Sequence, residues 1–309
     1  MLSGAVNMEL NNVVSNKSSV YLALSFRRLC LATVSLPLVS LLFCFITAYI
    51  FQQDDIHETH CRVYNILPSI SAITGVSPQR YLWRISIALH IGPRLVIASV
   101  YHSYYYKILK NIEDVPLQIT GSRLLNLCYW LNIAEIAALS GVTYISNREN
   151  YCAFDAISAV CVILYLSQFH RSLVVKHSQN DINSVNSNTF DKRYKKNISA
   201  VHEKIFIVFM ISSLTYMLTA VRLGRLITPN AQSLQYKQVL FMTSLVSTIF
   251  LIIFFLKHRL LCHDLAFSWF SLCEYVIAFA NMGFHITVVS DFPEEQLIVG
   301  HGLPAVKID

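Results

Sequence analysis

Six apolar runs, each about 18 to 25 residues long, dominate this chain, and a helix needs a run of that length to cross the hydrocarbon of a bilayer. They extend from Leu29 to Phe51, Leu82 to Tyr105, Leu124 to Ile145, Ile205 to Leu226, Val239 to Leu256 and Leu265 to Val289. Backbone polar groups find no water at that depth, so long spanning runs must satisfy themselves as helices. The predicted class is therefore all-α, a polytopic transmembrane helix bundle with six core spans. A seventh apolar segment, Ala153 to Val175, is marginal because it carries Asp155, Gln168, His170 and Arg171 around its apolar centre. The composition agrees: 54% of residues are hydrophobic and 14% charged, against about 25% charged in an ordinary soluble domain.

The net charge of +6 does not point to nucleic acid. The basic residues flank the apolar runs, as the positive-inside rule requires, and form no single patch. Arg27 and Arg28 precede the first run, while Lys107, Lys110 and Arg123 lie around the second connection, so both places read as cytosolic. The stretch from Gln52 to Arg80 between them, with Asp54, Asp55 and Glu58, reads as luminal. If Ala153 to Val175 does not cross, Arg222, Arg225 and Lys237 are cytosolic too, and Lys257 to Asp264 is luminal. A basic cluster at Lys192, Arg193, Lys195 and Lys196 pulls the other way. The organisation expected is a cytosolic tail at 1–26, a bundle over 27–298 that contains an atypical insert at 151–200, and a cytosolic tail at 299–309. No cleavable signal peptide is expected in the polar stretch from Met1 to Phe26.

Charged side chains within a span cost about 2.5 to 3.5 kcal/mol on insertion scales, so they mark a partner, a cavity or a functional site. His90 and Arg94 are four apart on one face of the second span, with Gly92 and Pro93 between them. They suit an anionic headgroup or phosphate; alternatively, Arg94 pairs structurally with Glu135 of the third span. In the last span Glu274, Asn281 and His285 are spaced seven and four apart, on one stripe of an ideal helix. A carboxylate, an amide and an imidazole in line are the equipment of acyl transfer: an orienting partner, an oxyanion donor and a base. The same residues also serve as polar glue between membrane helices.

Most of the eight cysteines lie in apolar runs and read as small buried hydrophobes. Cys61 and Cys262 fall in loops on the same luminal side of a six-span topology, where a disulfide is chemically permitted; parity alone suggests the pairing. The cluster His57, Glu58, His60 and Cys61 lacks the helical spacing of a metal site, and no metal is expected. Neither a D-R-Y after the third span nor an N-P-x-x-Y in the last supports a G-protein-coupled receptor, and no filter or ring of like charges supports a channel.

Several short motifs agree in order and spacing with one family. The runs PLVSLLFCF (Pro37 to Phe45), THCRVYNILPSISA (Thr59 to Ala72), PQRYLWRISIALHIGPR (Pro78 to Arg94), HEKIFIVFMISSL (His202 to Leu214) and EYVIAFANMGFHITVVSDF (Glu274 to Phe292) resemble the post-GPI-attachment-to-proteins factor 2 family. The resemblance implies a multi-pass protein of the Golgi or endoplasmic-reticulum membrane that acts on GPI-anchored proteins. In that pathway an unsaturated sn-2 chain is removed from the anchor lipid, and this family is needed to put back a saturated one. The partners implied are GPI-anchored proteins, lyso-GPI lipid and membrane lipid. No dissociable cofactor is called for, but an acyl donor such as acyl-CoA or a phospholipid is. Two readings stay open: a lyso-GPI acyltransferase, or a non-enzymatic lipid-binding or trafficking factor. As an enzyme, its candidate catalytic residues are His285, Glu274, Asn281 and His90, with Arg94 and Glu135 binding substrate. Family members typically join the third and fourth spans by a short loop; here Tyr151 to Ala200 intervenes, as a genuine hairpin or as translated non-coding sequence.

Overall fold

The computed structural model describes residues 19–57, 61, 63–145, 187–229 and 231–301. The chain runs β1 (Ser19–Ser25), α1 (Phe26–Phe51), α2 (Gln53–His57), α3 (Ile70–Thr74), α4 (Gln79–Lys110), α5 (Val115–Tyr144), α6 (Ser187–Ile227), α7 (Gln232–Leu261), α8 (Ala266–Ile286), α9 (Val288–Asp291) and β2 (Gln296–His301). Among the described residues, six helices are long and apolar enough to cross a membrane: α1, α4, α5, the part of α6 from Val201, α7, and α8 continued through α9. Each predicted run coincides with part of one of them, with Ile145 and Leu265 falling one residue outside as caps. The structure is a polytopic helical bundle.

The helix ends follow local chemistry. Asp114 caps α5 by accepting from the Leu117 N–H at 3.3 Å, with Pro116 in the first turn, where its missing N–H costs nothing. Ser69 caps α3 in the same way through Ala72. The α7–α8 turn is only 262–265, and both Cys262 (φ 48°) and Leu265 (φ 60°) take left-handed backbone to close it. Neighbouring helices approach closely where side chains are small: a Cβ on Gly141 of α5 would fall 2.9 Å from Ile205 of α6.

One end of the bundle is marked by a disulfide between Cys61 and Cys262, whose Cα atoms are 5.6 Å apart. Here residues 52–57 and 63–78 fold back over the helix ends. Their α2 and α3 bury Ile56 and Ile73 against Leu41, Cys44, Ala48 and Tyr275. The opposite end carries the turns after α4 and α6. It also carries an antiparallel ribbon, β1 with β2, in which Ser19 faces His301 and Ser25 faces Gln296. The ribbon joins residues from both ends of the predicted bundle, a pairing that the sequence analysis did not anticipate. It also puts Ser19 and His301 side by side at that end.

The marginal stretch Ala153 to Val175 lies outside the described residues. Its flanks meet within the bundle, since His202 Nδ1 is 2.5 Å from the Ile145 carbonyl at the disulfide end. α5 therefore finishes, and the spanning part of α6 begins, on one face.

The apolar surface that remains is lipid-facing. α7 is the most peripheral span, and Val239, Met242, Val246, Ile249, Ile252 and Ile253 are all exposed along it. Their burial comes from hydrocarbon, not from protein.

Candidate functional site

Near the middle of the bundle, side chains from four helices converge on one buried carboxylate. Glu135 of α5 is fully buried, and its Oε2 lies 2.9 Å from Arg94 Nη2 of α4. Its Oε1 accepts from Asn281 Nδ2 of α8 at 2.6 Å, and the same amide donates to Ser213 Oγ of α6 at 2.7 Å. His285, one turn further along α8, brings its Nε2 within 2.5 Å of Arg94 Nη2 and 3.4 Å of Glu135 Oε1. Its ring stacks on Tyr216 of α6 with centroids 5.3 Å apart and planes 11° apart.

Arg94 is aimed by its surroundings. Pro93 leaves the Leu89 carbonyl without its helical N–H partner, and His90, one turn up, is fixed by a 2.7 Å bond from its Nδ1 to the Thr33 carbonyl of α1. That bond requires the proton on Nδ1, which leaves His90 Nε2 to accept from Arg94 Nη1 at 3.4 Å. A further contact, at 3.4 Å, runs from Arg94 Nη2 to Asn132 Oδ1. His285 is different, because its Nε2 stands between a donor and an acceptor, and one neutral tautomer cannot serve both. With Nε2 accepting from Arg94, the proton is on Nδ1. With Nε2–H donating to Glu135, Nδ1 is a bare lone pair, able to take a proton.

A cavity of about 20 Å³ lies against this cluster, enough for about one water. Arg94, His90, Asn132 and His285 form its polar wall, with Cys30, Val34, Ile97, Ala98 and Val288 on the apolar side. A smaller cavity of about 10 Å³ shares Ala98, Tyr101, Asn132 and Tyr216 with it and continues to His102 and Tyr129.

Of the sequence candidates, the structure brings together His90, Arg94, Glu135, Asn281 and His285. Glu274 stands apart. It lies on the same stripe as His285, but eleven residues along a helix is about 16 Å of axial rise, too far for a carboxylate to reach the imidazole. Glu135 takes the place that the stripe had suggested for Glu274, because a neighbouring helix can put a carboxylate level with His285 where the same helix cannot. Glu274 Oε2 instead accepts the Ile70 N–H at the start of α3, at 2.9 Å, and so pins the folded-back segment to α8. Ser268 does the same for Ile66 at 2.9 Å. The expected result for Glu274→Ala is a loss of about 1–3 kcal/mol, the cost of an unpaired buried N–H. It should be read as a lower unfolding temperature in detergent micelles. His57, considered above as part of a metal cluster, has its Nδ1 2.7 Å from the Gln53 carbonyl and its Nε2 2.9 Å from that of Ile66.

Sequence reasoning missed Asn132, Ser213 and Tyr216, which carry no charge and so gave no insertion penalty to notice. It also gave Lys237 no partner. Near the start of α7, at the ribbon end, Lys237 is buried, 2.5 Å from Asp291 Oδ2 of α9, and donates to the Tyr101 hydroxyl at 3.2 Å. Asp291 also accepts from Ser233 Oγ at 2.5 Å. The signal available was a second charge of opposite sign close to the end of the last run.

Residues 25–194 and 192–295 match the family model described as Frag1/DRAM/Sfk1/Cwh43P N-terminal domain. The first match runs through most of 151–200, the stretch read above as an atypical insert. The chain is 47% identical over 289 residues to "Post-GPI attachment to proteins factor 2-like" of Drosophila melanogaster, covering 91% of this chain and 74% of that one. It is 30% identical over 284 residues to "Acyltransferase PGAP2" of Xenopus tropicalis, covering 90% and 91%. It is 28% identical over 299 residues to "Post-GPI attachment to proteins factor 2" of Drosophila melanogaster, covering 94% and 95%. No solved structure matches.

Proposed function

The chain belongs to the post-GPI attachment to proteins factor 2 family, which carries the Frag1/DRAM/Sfk1/Cwh43P N-terminal domain, and on that premise we propose that it reacylates lyso-GPI at the sn-2 hydroxyl during GPI-anchor remodelling. The observation that carries this reading is the buried constellation of Arg94, Glu135, Asn281 and His285 beside a cavity. It holds a base, its orienting carboxylate and a cation that suits a lipid phosphate.

In this mechanism the substrate itself selects the reactive tautomer. When Arg94 turns to the lipid phosphate, it leaves His285 Nε2, whose N–H then donates to Glu135 Oε1. The bare Nδ1 takes the proton from the lysolipid hydroxyl as the oxygen attacks the donor's acyl carbonyl. The carbon–oxygen ester bond forms, the bond from the carbonyl to the leaving group breaks, and the imidazolium returns its proton to the leaving group. Asn281 holds Glu135 in place through its 2.6 Å bond, and His90 holds Arg94 as a positioning residue. Glu135 thus acts on the imidazole, not on the substrate.

A second reading, a non-enzymatic factor that binds and presents lyso-GPI lipid, is favoured by the water-sized cavity, since the cluster satisfies itself without a ligand. The experiment that separates the two is reconstitution of the purified protein in liposomes with lyso-GPI and an acyl donor. Diacyl product supports the enzyme; its absence with every donor, from folded protein, overturns it.

We place it in the Golgi or endoplasmic-reticulum membrane with the Cys61–Cys262 end in the lumen, a reading that the disulfide supports because such bonds persist in oxidising compartments. Arg27, Arg28, Lys107 and Arg225 then lie on the cytosolic side. In permeabilised cells, a thiol reagent is expected to leave Cys262 unmodified until a reductant is added. Modification beforehand would overturn this orientation.

A further inference from the structure

The bond that holds His90 in place ends on a main-chain carbonyl in the middle of a helix. Thr33 of α1 is 2% exposed and His90 of α4 4% exposed, and the Thr33 carbonyl lies 2.7 Å from His90 Nδ1. In a regular helix such a carbonyl is already taken by the N–H four residues further on. Here that residue is Pro37, buried within α1, and it has no N–H to give. The Thr33 hydroxyl does not take its place, because it donates to the Leu29 carbonyl at 2.6 Å. Pro37, the residue on which the run PLVSLLFCF opens, thus leaves a buried acceptor facing α4.

That acceptor reaches the cluster in two steps. With the proton on Nδ1, His90 donates to Thr33, and its Nε2 accepts from Arg94 Nη1 at 3.4 Å. The other tautomer would set a bare Nδ1 against carbonyl lone pairs and aim an Nε2–H at a guanidinium, which has only donors. Arg94 Nη2 is then left for Glu135, at 2.9 Å. Resting on the acyltransferase reading above, we propose that Pro37 is a positioning residue for the transfer: by withholding an N–H from Thr33 it fixes the tautomer of His90, and through that ring the place from which Arg94 serves the lipid phosphate. Pro37 itself does not line the cavity.

The chemistry needs an imino acid at this position. Any other residue would return a helical N–H to the Thr33 carbonyl, in competition with the imidazole. His90 would then turn or shift its proton, and Arg94 would lose its acceptor on that side. A proline kept for shape alone predicts something different. Its removal would straighten α1 and disturb the packing of Leu41 and Cys44 against Tyr275, with no effect on where the imidazole carries its proton.

The test is Pro37→Ala in the full-length protein in liposomes, read by the ring-nitrogen chemical shifts of isotope-labelled histidine, with His90 assigned by the loss of its signals in His90→Gln. The wild type is expected to carry the His90 proton on Nδ1 alone, and Pro37→Ala to show both tautomers. Its kcat/KM for lyso-GPI should fall by about tenfold or more, as for other small misplacements of a positioned group. Its unfolding temperature in micelles should be no lower than that of the wild type, because alanine is the better helix former. Ser35→Ala, at an exposed position of the same helix, should change none of the three. A proton that stays on Nδ1 alone in Pro37→Ala overturns the proposal. Wild-type activity with mixed tautomers overturns the role in transfer, and a lower unfolding temperature or loss from the membrane makes Pro37 a packing residue. If the wild type forms no product, the enzymatic reading falls, and the tautomer shift alone decides whether Pro37 sets the Arg94 site.

Discussion

His285→Ala is expected to lower transfer to lyso-GPI in liposomes by about 10²–10⁴-fold, the ordinary worth of a positioned general base, while the protein still reaches the membrane in normal amount. The ring is the one member of the cluster that can exchange a proton with a ligand: it lines the cavity, and its Nε2 touches both Arg94 and Glu135. Removing it leaves the Arg94–Glu135 pair intact, so the bundle should keep its charge balance. Activity near wild type would remove the imidazole from the mechanism. Disappearance of the variant from the membrane would instead make His285 packing, stacked on Tyr216.

Breaking the ion pair should be costlier to the fold than to any single chemical step. Arg94→Leu or Glu135→Leu alone leaves a charge buried within the bundle without its counterion, a loss of about 3–5 kcal/mol. Replacing both together should cost less than either alone, because neither charge then has to be desolvated. The measurement is a double-mutant cycle of unfolding in detergent micelles. A coupling energy above about 1 kcal/mol is expected, and losses that merely add would show that the two charges do not depend on each other. The double variant should nevertheless be inactive, since Arg94 and Glu135 both serve the proposed transfer.

Much of the architecture was legible in the chain. Hydropathy is a local property, and a run such as Leu29 to Phe51 must become a spanning helix whatever surrounds it. The intramembrane charges were equally visible, because each departs from its apolar neighbours. Five of the six polar side chains singled out that way do meet in one cluster. The family motifs lay in the same runs.

What the tertiary structure alone decided is which of these groups are neighbours. The stripe of Glu274, Asn281 and His285 is real along α8, yet angular agreement on one helix says nothing about axial distance, and Glu274 ends up holding the Ile70 N–H. Glu135 meets Asn281 and His285 because α5 and α8 stand at the same height there, and no residue in either run signals that height by itself. The same holds for Lys237, whose charge marked a membrane end but whose partner Asp291 is far away in sequence, and for the ribbon of β1 and β2. Spans are determined by the free energy of each segment with its solvent, which sequence carries residue by residue. A site depends on the register between segments, and that is fixed only when side chains from different helices compete for the same space.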